Sequence, residues 1–422
     1  MKKLKKFSGL VVVFIFALSL LSSSPASATT TFGSEQVFKT TLVNYTDISS
    51  ATSGLSYVVY NDNSGVGYAQ VCFSNNTCKY EASFGGGEPI YAIQMQVAAL
   101  TDDTFVVVFR NTSNGNGYAV AGSYAKEEIT FGNLVRFNSA STQFPHVDKL
   151  SSTKFVVTYE NSDGGGYARI GSVSGTTVSF PSLAVKYASS EANQNVVATL
   201  VDDSKFVVAW EDATGNNGYA KIGSVSGTTP SFSGSDYQFE SGVAQYMSID
   251  KLYDDKFVVA YKNTNGYAII GDVSGSAITY GSSYEFNNAN TDYIDVAAFD
   301  EYTFNVVYRD NGNSGYGTSI TGYVTNNVIS YGAETVYNSG GSLYNSITYV
   351  LGTSQDFQVV YRDTGNSSYG TLIRGNEDAP GGPTVPEFPS WLIKILIGSF
   401  GFTVVLFVGI FIKKKIIDQR KN

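Results

Sequence analysis

Phe105-Val106-Val107-Val108-Phe109, Phe155-Val156-Val157-Thr158-Tyr159, Phe206-Val207-Val208-Ala209-Trp210 and Phe257-Val258-Val259-Ala260-Tyr261 are four copies of one pattern. Each opens on an aromatic residue, continues through paired valines and closes on an aromatic. Three less regular copies end at Tyr60, Tyr308 and Tyr361, so the closing aromatics recur at intervals of 49, 50, 51, 51, 47 and 53 residues. A polar Asn/Asp/Gly loop follows each copy, then Gly-Tyr or a close variant, at Tyr68, Tyr118, Tyr167, Tyr219, Tyr267, Tyr316 and Tyr369. A constant step of this size marks stacked structural units whose apolar faces only neighbouring units can cover.

Four strands are expected in each unit. In the second they run from Gln96 to Leu100, Phe105 to Arg110, Tyr118 to Ser123 and Ile129 to Phe137, with Thr101-Asp102-Asp103-Thr104 as a tight turn. The valine strand is apolar on both faces, as in a sheet covered on both sides; a half-solvated sheet would alternate. Four strands per repeat at roughly this length is the period of a propeller blade. A third anchor, hydroxyl–aromatic–small, marks the fourth strand: Ser83-Phe84-Gly85, Thr130-Phe131-Gly132, Ser179-Phe180-Pro181, Ser231-Phe232-Ser233, Thr279-Tyr280-Gly281 and Ser330-Tyr331-Gly332. The seventh unit stops after Ile373-Arg374-Gly375 without one, and the missing copy stands at the beginning, in Thr31-Phe32-Gly33. The expected fold is therefore all-β: a seven-bladed β-propeller whose N-terminal strand closes the last blade. An open solenoid or tandem sandwiches would not need that permutation, and closure removes exposed sheet edges.

Charged residues make up 15% of the chain, against 43 glycines and 30 tyrosines, which separates it from disordered sequences. The formal charge is −9, and many of the lysines gather at the two ends, so the body is more acidic than the total. An acidic body argues against nucleic acid as a partner, because phosphate is held mainly by Lys and Arg. Met1 to Lys6 is basic, Leu10 to Leu21 is apolar and Ala26-Ser27-Ala28 is a small-residue cleavage site, which together read as a signal peptide over 1–28. The repeat domain then occupies 29–375 and a Pro/Gly stalk 376–390. Residues 391–412 are apolar enough to span a bilayer as a transmembrane helix, and Lys413-Lys414-Lys415 heads a basic tail over 413–422. Basic residues stay on the cytoplasmic side, so the expected location is the cell surface, with the repeat domain outside. Cys72 and Cys78, with five residues between them in an exported chain, suit a disulfide across one hairpin.

Pro386-Glu387-Phe388, followed by an apolar helix and basic residues, resembles the PEF type of C-terminal sorting signal found on archaeal surface proteins. That resemblance implies an archaeal envelope and, as a partner, an archaeosortase-like enzyme that would exchange the helix for another anchor. The repeat is similar to one in bacterial and archaeal surface proteins of no settled activity, and loosely resembles FG-GAP repeats. FG-GAP loops carry a carboxylate-rich calcium site; here Asn161-Ser162-Asp163-Gly164, Asp310-Asn311-Gly312-Asn313 and Asp363-Thr364-Gly365-Asn366 have few carboxylates. Turn chemistry accounts for them, calcium is the weighed alternative, and no cofactor is expected.

No catalytic residue is assigned. The single histidine, His146, lies in Gln143-Phe144-Pro145-His146-Val147 without a nucleophile-elbow context. Glu160, Glu211 and Asp212 end valine strands, where paired carboxylates would serve a glycoside hydrolase or lyase. The equivalent residues of other units are Arg110, Lys262, Arg309 and Arg362, a mixture that reads as an ion-pair girdle or solvated rim. Candidate binding residues are Tyr284, Phe286, Tyr293, Tyr337 and Tyr344, aromatics with amide neighbours in the loops entering the later units. Asn44, Asn75, Asn111 and Asn366 head glycosylation sequons. The expectation is a non-catalytic surface binding or adhesion module for an extracellular glycan or surface protein, with a secreted carbohydrate-active enzyme and a structural envelope protein as alternatives.

Overall fold

The computed structural model describes residues 30–84, 91–351, 353 and 355–377. The proposed signal peptide, the end of the stalk, Pro386-Glu387-Phe388, the membrane helix and the tail lie outside them. Among the described residues no helix is long and apolar enough to cross a membrane. The described residues are all-β and antiparallel, with one short 3-10 turn among them at Asn311–Asn313.

The third repeat shows the plan. Thr142–Ser151 pairs with Lys154–Asn161, which pairs with Gly165–Ser174, which in turn pairs with Thr177–Ser179 and with the start of Val185–Val201. Val185–Val201 is long because its first residues finish the third sheet and its last begin the fourth. Thr335–Tyr349 links the sixth sheet to the seventh in the same way. In the second sheet the strands are Ala92–Ala99, Thr104–Asn111 and Gly117–Ala125, and the fourth is divided into Glu128–Phe131 and Val135–Asn138. The division falls at Gly132, where an added Cβ would lie 1.8 Å from the Thr176 carbonyl oxygen of the next sheet.

Alternate residues of a valine strand serve different interfaces, as the two-residue period of a strand requires. Phe155, Val157 and Tyr159 pack with Val106 and Val108 of the second sheet. Val156, between them, packs with Val197, Phe206 and Val208 of the fourth. Both faces are thus core, and each sheet is a layer pressed between two others. In six sheets the leading aromatic of the valine strand sits over a glycine of the third strand; a Cβ on Gly171 would lie 2.1 Å from the Phe155 ring. The first sheet differs, with Ser56 opposite Cys72, and Cys72 is bonded to Cys78 on the adjacent strand.

The N-terminal segment completes the seventh sheet. Thr30, Thr31 and Phe32 pair with Glu377, Asn376 and Gly375, and the strand Gln36–Ser50 pairs first with Tyr369–Glu377 and then with Leu55–Asp62 of the first sheet. Val360 and Leu372 accordingly share a core with Val43, Val58 and Tyr60. The arrangement is propeller-like, each sheet covering the next and the last covering the first.

Two expected equivalences are corrected. Tyr68, Tyr118, Tyr167, Tyr219 and Tyr267 stack on their closing aromatics, but Tyr316 and Tyr369 precede their glycine by one residue and so face the other way. Thr318 and Thr371 take the position opposite Tyr308 and Tyr361. Phe84 is the counterpart of Phe137 rather than of Phe131: it packs on Gly67 as Phe137 packs on Gly117.

Candidate functional site

The first strand of every sheet contains one kink. Tyr45, Gln94, Phe144, Gln194, Tyr246, Tyr293 and Tyr344 have left-handed φ angles between 46° and 53°, and the pairing with the valine strand slips at each. A non-glycine residue in this region is strained by about 1 kcal/mol, so seven equivalent cases mark a β-bulge built into the repeat. Residues from all seven inner strands, at or beside these kinks, line a cavity of about 580 Å³ at the centre of the fold.

Each inner strand is fastened to the next by a side chain that accepts a main-chain amide. Val97 donates to Asp47 at 2.7 Å, Phe144 to Gln94 at 3.1 Å, Thr199 to Asp148 at 2.6 Å and Tyr246 to Gln194 at 2.6 Å. Ala298 donates to Asp250 at 2.8 Å, Ile347 to Asp295 at 2.8 Å and Ile48 to Ser346 at 3.3 Å, which closes the circuit from the seventh sheet to the first. Four carboxylates are therefore held between neighbouring inner strands, with Asp47 and Asp295 lining the cavity itself. Burial raises Asp47 and Asp250 to about 7 and Asp148 to about 6, and it also raises Asp295. Burial lowers His146, which lines the same cavity, to about 4, and its Nδ1 accepts the Val197 amide at 3.4 Å.

At the mouth the kink residues form two unlike halves. Tyr246, Tyr293, Tyr344 and Tyr45, from the fifth, sixth, seventh and first sheets, make a continuous arc with ring centroids 5.4, 5.2 and 5.0 Å apart. Gln94, Phe144 and Gln194 occupy the other half. Behind the arc stand the residues that follow the closing aromatics. Lys262 lies over the Tyr246 ring at 5.4 Å and Arg362 over Tyr344 at 5.5 Å. Burial raises the Tyr45, Tyr246 and Tyr293 phenols; neighbouring tyrosines add to this, and Arg110 or Arg309 opposes it.

This repeated charged position is not an ion-pair girdle. Lys262 meets Asp292 at 2.6 Å, whereas Arg110 donates to Gln143 at 2.6 Å and Arg362 donates to Asn44, both neutral amides. On the far half, burial raises Glu160 to about 7, with a further contribution from Glu191, and burial also raises Glu211. Asp212 instead closes its own turn by accepting the Thr214 amide.

Of the aromatics chosen from the sequence, the structure brings Tyr293 and Tyr344 together at the mouth. Phe286 and Tyr337 are buried, packed on Gly266 and Gly317, where an added Cβ would lie 2.4 Å from either ring. Tyr284 is half-buried on the outer strand, its carbonyl accepting from Tyr331. Tyr45 and Tyr246 were missed. Aligning the seven repeats and reading back from each closing aromatic by 15 to 17 residues would have found them. Asp163, Asp310 and Asp363 of the weighed calcium loops each accept a backbone amide two residues on, and among the described residues no cluster of three His, Cys, Asp or Glu is placed to hold an ion. Of the sequons, Asn75 and Asn366 are exposed, Asn111 is half-buried in a turn, and Asn44 is held by Arg362.

No protein-family model matches the chain, and no curated protein matches it. Among solved structures it is similar to the Hadza microbial sialidase Hz136, at 10% identity and a TM-score of 0.44. The likeness covers 80% of this chain and 66% of that one, so the chain spans about two thirds of that structure's length.

Proposed function

We propose that this protein is a seven-bladed β-propeller anchored at the cell surface, and that the mouth of its central channel binds an extracellular glycan or surface protein without catalysis. The observation that carries the reading is the tyrosine arc Tyr246–Tyr293–Tyr344–Tyr45, backed by cationic side chains and bordered by Gln94 and Gln194. Aromatic faces beside amides at a concave opening are the surfaces on which sugars and protein loops dock. The path of the chain supports an outward-facing mouth. The last strand starts at Tyr369 beside Asp363, near the mouth residue Arg362, and reaches Asn376 beside Asp356 at the opposite end. A membrane anchor following it would leave from the face away from the mouth.

A glycan and protein array probed with the full-length chain tests this reading. Binding that Tyr344→Ala abolishes is expected; binding indifferent to Tyr344 and Tyr293 would overturn it. One observation favours a second reading, hydrolysis by paired carboxylates. Glu160 and Glu211 stand on adjacent sheets, and burial raises both carboxyls, the direction that a general acid requires. Turnover of a bound polysaccharide that Glu160→Gln or Glu211→Gln removes would establish it in place of the first.

A further inference from the structure

The chain has 36 acidic residues against 27 basic ones, yet the mouth gathers cations. The position after the closing aromatic is Lys262, Arg309, Arg362, Asn61 and Arg110 in five consecutive sheets, counting through the closure, and the first four of these sheets carry the tyrosine arc. Among the described residues, Lys262 alone of these has a carboxylate partner. Asp292 lies opposite Arg309 in register, but its two oxygens are taken by Lys262 at 2.6 Å and by the Asn311 amide at 2.7 Å. Arg309 has no hydrogen-bond or ion-pair partner among the described residues, and the Nε atoms of Arg309, Arg362 and Arg110 are all buried without one. Arg110 and Arg362 donate only to the neutral amides of Gln143 and Asn44, so among the described residues none of the three guanidinium charges is met by a carboxylate, and three uncompensated cations at equivalent places beside one opening mark a site for an anionic acceptor.

We infer that the mouth takes a carboxylate-bearing glycan, with Arg309, Arg362 and Arg110 receiving the acid groups and the tyrosine arc receiving the sugar rings. The inference rests on the binding reading above and adds its ligand class. A guanidinium fork matches a planar carboxylate in two parallel hydrogen bonds, which a lysine cannot do. The glycan is favoured over an acidic peptide because the donors border a continuous aromatic surface, on which the apolar faces of sugars stack. An isolated acidic side chain would need the arginines but not four adjoining tyrosines.

The test is calorimetric titration of the full-length chain with oligogalacturonate, with the same oligosaccharide as its neutral methyl ester, and with oligoglutamate. The acid form is expected to bind ~tenfold or more tightly than the ester and to weaken as salt is raised. Arg309→Gln should weaken it by a similar factor with the melting temperature unchanged, since Arg309 holds no partner to lose, whereas Arg362→Gln should weaken it and also lower the melting temperature, because the contacts of Arg362 with Asn44 and Tyr344 are lost. Equal binding of acid and ester would overturn the charge assignment while leaving the mouth as the binding site. Tighter binding of oligoglutamate would overturn the glycan assignment in favour of an acidic protein. No binding of any of the three by folded chain would overturn the inference. The binding reading would fall as well only if array ligands were also indifferent to Tyr344→Ala.

Discussion

Phe32, in the N-terminal strand, meets Phe357 edge-on, with ring centroids 5.6 Å apart and planes at 89°. The pair repeats a contact made inside the other sheets: Phe131 on Phe105, Phe180 on Phe155, and Phe232 on Phe206, at 5.6 to 5.7 Å. Here the partners come from opposite ends of the chain. Phe32→Ala should therefore cost as much as Phe180→Ala inside the third sheet, about 2 kcal/mol for a half-buried ring. Deleting residues 30–38 should cost far more, because it also bares an edge of the seventh sheet. Denaturant unfolding compares the three; a Phe32 variant that unfolds with the native chain would mean the closure carries no stability.

Two glycines in one repeat separate packing from backbone strain. Gly171→Ala drives a methyl carbon to 2.1 Å from the Phe155 ring, in the middle of a layer that cannot open on either side. Gly175 has a φ of +58° and nothing within 4 Å, so its alanine variant bears only the left-handed penalty. The expected losses are about 2–3 kcal/mol for the first and about 1 kcal/mol for the second. Unfolding midpoints that reverse this order would contradict the sheet packing.

The sequence carried the strands because the valine segments place apolar residues on both faces, and only a sheet covered on both sides needs that. It carried the closure because one fourth-strand motif was displaced to the beginning of the chain. The binding face was half legible. Tyr293 and Tyr344 stood out beside asparagines, but Phe286 and Tyr337 have the same local composition and are core residues. What separates them is a bulge: the kink at Tyr293 and Tyr344 turns an inner-strand side chain toward the channel, whereas Phe286 and Tyr337 lie on an outer strand over a glycine. No local motif encodes that difference; it appears only when all seven repeats are superposed. The cationic half of the mouth was hidden for a similar reason, since mixed signs at one repeated position look random until the order of the sheets groups them.

Substitutions at those two kinds of aromatic should part company. Tyr344→Ala removes contacts to Tyr45 and Tyr293 at a half-buried site and should lower stability by about 1 kcal/mol while abolishing ligand capture at the mouth. Phe286→Ala empties a buried site and should cost about 3–5 kcal/mol. Any Phe286→Ala chain that remains folded should bind normally. Melting curves set beside array binding distinguish the two; loss of binding in a folded Phe286→Ala chain would place the ligand on the outer strands instead.

The channel carboxylates set the direction of the pH response. Asp47 and Asp250 are raised to about 7 and Asp148 to about 6, so between roughly pH 4 and 7 the folded chain binds protons that the unfolded chain has released. Stability must therefore fall as pH rises through that window, by at most ~1.4 kcal/mol per pH unit for each carboxyl titrating. His146 opposes this. Its value is lowered to about 4, so folding excludes a proton between pH 6.5 and 4, and stability from this group is lost as pH falls. One histidine offsets one carboxyl, which leaves a net gain on acidification from pH 8 to about 5. Asp47→Asn keeps an acceptor for the Val97 amide and removes a titrating group, so it should flatten the profile and stabilise the chain above pH 7. Thermal melts of the native chain and of Asp47→Asn from pH 5 to 8 check this. A native profile that rises toward pH 8 would mean the four carboxylates are solvated, and hence that the inner strands do not enclose them.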